Sequence, residues 1–104
     1  MSNLPHSVPI AGAEWELERT ARLLPFPLGK VESLMNIRLT RAITGHQWRV
    51  DLYRHGNVWA VYRLGFYEGK EPTAFPADPS ILAHVVGGAV WIANQGENEN
   101  AATD

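Results

Sequence analysis

The sequence predicts an α+β fold: an antiparallel three-stranded β-meander, joined by a fourth strand if the N-terminal segment is extended, packed against one C-terminal α-helix. Three observations predict it. Side-chain character alternates from Met35 to Tyr67 with breaks only at Gly45-His46 and His55-Gly56-Asn57, the period of two that a half-buried strand imposes. A stretch from Gly65 to Pro79 then carries Gly69, Pro72, Pro76 and Pro79, and prolines that cannot donate to a ladder make it a loop. Finally, Asp78 and Pro79 open an apolar run with the residues that cap and start a helix.

Taken in order, residues 1–12 contain Pro5 and Pro9 and are expected to form an extended arm, since each proline removes a donor and restricts its predecessor. Residues 13–95 form the single α+β domain. Within it, Ala13 to Leu24 supports two readings. Ala13, Leu17, Ala21 and Leu24 follow helical spacing, while Trp15 and Leu17 alternate with Glu14, Glu16 and Glu18 as in a strand; composition tips the segment toward helix. Pro25 and Pro27 are expected to end it.

The first strand of the meander runs from about Met35 to Thr44. A tight turn at Gly45-His46 would set Ile43 against Trp48, Arg41 against Val50 and Leu39 against Leu52. The second strand covers Gln47 to Arg54, and a loop at His55-Gly56 would set Leu52 against Trp59 and Val50 against Val61. This register gathers Ile37, Leu39, Ile43, Trp48, Val50, Leu52, Trp59 and Val61 on one face, which is therefore the core. The opposite face carries Arg38, Thr40, Arg49, Asp51, Tyr53, Ala60, Tyr62 and Leu64. The helix is expected to end near Asn94 with Gly96 as its terminator. Its internal Gly87 and Gly88 each cost about 1 kcal/mol relative to Ala, a cost that close approach to the Trp-bearing sheet face would offset. Residues 96–104, with Glu97, Glu99 and Asp104, read as a disordered acidic tail.

Composition bounds the function. The 104 residues fit one domain, and 45% hydrophobic with 19% charged residues places the chain among folded proteins. It has no cysteine, which removes disulfides and thiolate metal sites and leans the expected compartment toward the cytoplasm. The most apolar stretch, Ile81 to Ala93, falls far short of the roughly 20 residues that cross a bilayer, so no membrane partner is expected. The formal charge of −2 hides segregation: between Ile37 and Phe66, five arginines (38, 41, 49, 54 and 63) stand against Asp51 alone. Acidic residues gather at the ends.

No constellation for chemistry emerges. His6, His46, His55 and His84 are dispersed, without the spacing a metal site needs. The serines lie in arm, loop and helix-start positions with no nucleophile elbow, and Glu68 and Glu71 are loop carboxylates that solvent would keep ionised. No phosphate-cradling loop is present. The expectation is accordingly a protein that is not an enzyme and holds no cofactor or metal.

Binding is what the strands offer. Arg38, Arg49, Tyr53 and Tyr62 share one sheet face, where aromatics can anchor and arginines can grip carboxylates bidentately. The first expectation is a small non-catalytic protein-binding module of the adaptor, immunity or inhibitor kind, whose partner is another protein or a second copy of itself. The alternative is a nucleic-acid reader, since Arg interleaved with Tyr on a sheet also serves phosphate contact and base stacking. The order of three strands and a helix resembles the small plant and integrase arm-binding domains that read DNA with a three-stranded sheet, which implies the same role for this face. A third arrangement has the Ala13–Leu24 segment folded over the face with its glutamates on the arginines.

Overall fold

The computed structural model describes the backbone of residues 6–28 and 31–103 and the side chains of residues 6–23 and 33–95. Six strands and one helix follow in sequence: β1 (Ser7–Ile10), β2 (Ala13–Leu28), β3 (Val31–Arg41), β4 (His46–His55), β5 (Val58–Glu68), β6 (Glu71–Pro72) and α1 (Pro79–Thr103). The strands make one antiparallel sheet in the order β1-β2-β3-β4-β5-β6. The fold is thus α+β with an antiparallel meander, as the alternation requires, but with six strands instead of three or four.

The additional strands correct two expectations. Residues 7–10 of the arm pair with β2, setting Val8 against Trp15 and Ser7 against Glu16. Ala13 to Leu24 is strand, not helix: Leu17 faces Leu39 and Glu18 faces Arg38 across the ladder. Pairing decides what composition could not, because β2 buries Trp15 only when its alternation is read at a period of two. Pro25 and Pro27 do not end the strand; they fall inside a break in the β2–β3 register between Leu23 and Leu28, where missing N–H donors cost no ladder bond.

The core lies between one sheet face and α1. Ile37, Leu39, Trp48, Val50 and Leu52 from the sheet meet Val85, Ala89, Ile92 and Ala93 from the helix, all at most 1% exposed. Trp48 is flanked by Phe66 at 4.4 Å and Phe75 at 5.6 Å between ring centroids. Asp78 starts the helix as expected, accepting hydrogen bonds from the Ser80 amide at 2.9 Å and the Ser80 hydroxyl at 2.8 Å. Those bonds hold the Asp78 carboxyl below its ordinary range. Beyond the core, α1 passes Gly96 and continues to Thr103, so Gly96 is not its terminator; the side chains of Glu97, Glu99 and Asp104 lie outside the described residues. The helix does not come close to the sheet at its glycines either. A Cβ placed on Gly87 or Gly88 would meet nothing within 4 Å.

Two registers differ from expectation. The β3–β4 connection is the four-residue loop Ala42–Gly45, closed by the Gly45 amide on the Arg41 carbonyl at 2.9 Å, and Leu39 faces Trp48 while Ile37 faces Val50. The slip is an even number of residues, so the core face keeps its members except Ile43, which sits in the loop 91% exposed. The β4–β5 hairpin turns on Gly56-Asn57, with Gly56 at φ 63°, a placement that suits a two-residue hairpin turn. Further along, the pairing jumps from Leu52↔Val61 to Asp51↔Arg63. Tyr62 is the extra residue of a β-bulge, and it reverses the facing of everything after it. Leu64 therefore packs on the core with Phe66 instead of lying on the outer face.

Candidate functional site: the outer sheet face

The face turned away from α1 is built from alternate residues of β2 to β5, and the ladder pairings order them in rungs. One rung reads Glu18, Arg38, Arg49, Gly65; the next reads Thr20, Asn36, Asp51, Arg63; a third reads Arg22, Leu34, Tyr53, Ala60. All four sequence-predicted residues, Arg38, Arg49, Tyr53 and Tyr62, lie on this face. It has no second layer among the described residues, because the segment that the third arrangement folds over it is β2 itself. Its glutamates stand beside the arginines within the sheet, not above them.

The geometry fixes each side chain by a local device. Arg38 and Arg49 oppose each other directly, an unfavourable like-charge pair unless each is drawn elsewhere. Arg38 Nε donates to Asn36 Oδ1 at 3.1 Å, and Arg49 Nε donates to Gln47 Oε1 at 2.6 Å. Asn36 Nδ2 in turn donates to Asp51 Oδ1 at 2.7 Å, and the Arg63 guanidinium lies 3.9 Å from Asp51. Arg49 also lies over the Tyr67 ring, 4.1 Å from its centroid, a cation–π contact. That ring can lie across the sheet only because Gly65 is beside it: a Cβ there would come within 2.8 Å of Tyr67 Cε1. The bulge sets Tyr62 next to Tyr53, with ring centroids 6.0 Å apart, and leaves it 53% exposed.

Arg63, Tyr67 and Gly65 therefore belong to the site although the sequence did not single them out. The bulge concealed them, since unbroken alternation places 65 and 67 on the core face. Two shallow depressions adjoin here. One, of about 230 Å³, is bordered by Arg38, Arg49, Arg63, Asp51 and Tyr67; the other by Arg22, Asn36, Asp51 and Tyr62.

The charges of the face balance. Arg41 and Arg54 fall on the core side by alternation, level with His46 and Trp59, so the five-arginine cluster of the sequence divides in two. The outer face keeps Arg22, Arg38, Arg49 and Arg63 against Glu14, Glu16, Glu18 and Asp51, four charges of each sign. The three glutamates line β2, and Glu16 and Glu18 are exposed and make no ion pair among the described residues.

Among the described residues no three His, Asp or Glu side chains converge as metal ligands would, and no helix is long and apolar enough to cross a membrane. The histidines have separate local roles: His46 Nε2 lies 3.4 Å from Glu68, and His84 Nδ1 lies 2.6 Å from the Ser80 carbonyl oxygen. With six strands in the sheet, the three-strand order behind the resemblance to sheet-reading DNA-binding domains is lost. No family model matches the chain, and no curated protein and no solved structure is similar to it.

Proposed function

We propose that this chain is a small protein-binding module without catalytic chemistry, of the adaptor, immunity or inhibitor kind, whose contact surface is the outer sheet face. The observation that carries the proposal is a face, uncovered among the described residues, whose aromatic and arginine side chains are held in place by their own neighbours. Arg49 over Tyr67, Tyr53 beside Tyr62 and the Asn36–Asp51 bridge reduce the side-chain entropy that binding must otherwise remove. Tyr and Arg are also the residues that most often anchor protein interfaces.

The nucleic-acid reading draws on the same Arg38, Arg49 and Arg63. Against it, the face sums to zero, and the Glu14–Glu16–Glu18 row lies one to three strands from those arginines, where it would repel a phosphate backbone crossing the sheet. A photo-crosslinking residue placed at Tyr62, with one at Ala83 on the exposed side of α1 as control, tests the proposal in cells. Protein adducts from position 62 and not from 83 are expected. Nucleic-acid adducts from position 62, or equal labelling at both positions, would refute it.

A further inference from the structure

Building on the reading of the outer face as a protein contact, we infer that the partner places one acidic side chain, an aspartate or glutamate carboxylate, in the depression over Gly65. Gly65 stands opposite Arg49 in the ladder. Having no side chain, it leaves a gap in the outer face between Arg63 and Tyr67, which flank it along β5 on the same side of the sheet. Tyr67 leans back over that gap: a Cβ at 65 would lie 2.8 Å from its Cε1 and 3.3 Å from its hydroxyl oxygen. The phenol hydroxyl is thereby brought toward the rung of Arg38 and Arg49. The result is a depression of about 230 Å³ bordered by Arg38, Arg49, Arg63, Asp51 and Tyr67.

The donors around it are oriented but not neutralised. Arg38 and Arg49 stand directly opposite each other, an arrangement that brings Cβ atoms to about 4.5–5.5 Å. Each is fixed through Nε on a neutral amide oxygen, Arg38 on Asn36 and Arg49 on Gln47. Their terminal amines and the Tyr67 hydroxyl make no further hydrogen bond among the described residues. Asp51, the only carboxylate among the described residues that border the depression, accepts from Asn36 Nδ2 at 2.7 Å and lies 3.9 Å from Arg63. Three guanidiniums against Asp51 leave a charge of +2, and Glu18, exposed beside Arg38 on β2, lowers it to +1. One carboxylate cancels that remainder, whereas a doubly charged phosphate exceeds it. Size narrows the ligand further: small-molecule pockets run to roughly 300–1,000 Å³, so this smaller depression suits one inserted side chain and not a nucleotide. Guanidinium forks match the plane of a carboxylate, and an anion beside Arg38 and Arg49 relieves the repulsion between them. An acidic side chain entering over β4 and β5 also stays clear of the β2 glutamates, which a phosphate backbone crossing the sheet would meet.

The tripeptide acetyl-Gly-Glu-Gly-amide, its Gln counterpart and inorganic phosphate, titrated into the isotope-labelled full chain at low salt, provide the test, read on the arginine Nε–Hε resonances. The Glu peptide is expected to shift Arg38, Arg49 and Arg63 saturably, with a dissociation constant on the order of 1–10 mM. Arg22, on the same face outside the depression, is expected not to respond, the Gln peptide not to bind, and phosphate to bind more weakly than the Glu peptide. Arg49→Gln and Arg63→Gln should each weaken the Glu peptide about fivefold, and Tyr67→Phe, which keeps the ring and loses the hydroxyl, about threefold. Glu18→Gln should tighten it about twofold by removing a competing charge. Circular dichroism confirms that the variants fold, and Arg22→Gln, expected to bind as wild type does, controls for charge alone. No saturation by the Glu peptide, equal binding of the Gln peptide, tighter binding of phosphate, or Arg49→Gln and Tyr67→Phe without effect would each overturn the inference. Crosslinking from position 62, repeated in the R49Q/R63Q double variant, separates the carboxylate seat from the broader reading. Protein adducts that disappear in the double variant support the seat. Adducts that persist overturn the seat and leave the protein-binding reading standing, whereas no protein adduct from wild type removes both.

Discussion

Deleting Tyr62 should damage this protein little more than truncating it. Tyr62 is the one residue that β5 carries beyond β4 between Val61 and Arg63. Its removal joins Val61, opposite Leu52, directly to Arg63, opposite Asp51. The bulge then closes into regular alternation, and every other residue keeps its partner and its face. Trp59, 4% exposed, and Val61 stay with the core, as do Leu64 and Phe66. What is lost is an exposed ring beside Tyr53, about 1 kcal/mol or less, the same loss as in Tyr62→Ala, which keeps the bulge. In a strand without a bulge, the same deletion would reverse the facing of everything beyond it. Full burial of a large apolar side chain contributes roughly 1.5–3 kcal/mol. Leu64 and Phe66 are half-buried, so about 2–3 kcal/mol would go with the pair, and the Phe66 ring against Trp48 would add about 0.5–1.5 kcal/mol. That total, roughly 3–4 kcal/mol, is a large part of the roughly 5–15 kcal/mol that holds a typical domain together. Thermal unfolding followed by circular dichroism tells the two apart: at roughly 4–8 °C per kcal/mol for a domain near this size, the deletion and the alanine variant should each lose about 8 °C or less. A fall of more than about 12 °C for the deletion alone would refute the claim that Tyr62 is the bulge residue of β5.

Other substitutions test neighbouring parts of the argument. Gly65→Ala should leave stability within about 1 kcal/mol, because the gain from replacing a strand glycine offsets the displaced Tyr67 contact, yet the Arg49 Nε resonance should lose its ring-current shift; an unchanged resonance would mean that Gly65 does not seat the ring. Gly87→Ala and Gly88→Ala should each stabilise by about 0.8–1 kcal/mol in thermal unfolding, since both sit in the helix with open space beside them; a loss would reveal packing against these positions. Ala11, at φ 50° in the β1–β2 turn, should gain from Ala11→Asn, which tolerates that conformation at a smaller part of the roughly 1–2 kcal/mol cost; a lower melting temperature would count against the turn. The lowered Asp78 carboxyl stabilises the fold above its unfolded value near 3.8, and that contribution is lost as pH falls through the still lower folded value. Asp78→Asn should therefore flatten the acid limb of stability against pH below about 4, and an identical acid limb would exclude the cap as its source.

What the sequence made legible was parity. Alternation assigned Ile37, Leu39, Trp48, Val50 and Leu52 to the core, and the error in the β3–β4 turn left them there because the slip was even. Ile43 was lost because a four-residue loop follows Arg41, and nothing in Ala42-Ile43-Thr44-Gly45 marks an apolar loop residue as exposed. The bulge was invisible for a related reason: it sets Leu64 and Phe66 against the core, a tertiary outcome, while the local pattern through Tyr62 is unbroken. The N-terminal hairpin escaped notice because Ala11-Gly12 lacks the Asn-Gly or Asp-Gly signal of such turns. At β2, Glu-rich composition spoke for helix while Trp15 and Leu17 spoke for strand, and only a neighbouring β3 ladder decides between local preferences of similar size.

The same parity argument bears on function. Five arginines crowded into thirty residues of sequence suggest a cationic surface, but alternation sends Arg41 and Arg54 to the other side of the sheet. Recognising β2 as a strand then brings three glutamates into the face itself. Each correction moves the outer face away from a phosphate-binding surface and toward one with both signs of charge in equal number. Electrostatic complementarity of this kind governs partner choice and orientation more than raw affinity. A face neutral in sum and uncovered among the described residues is suited to a partner that itself presents both signs of charge.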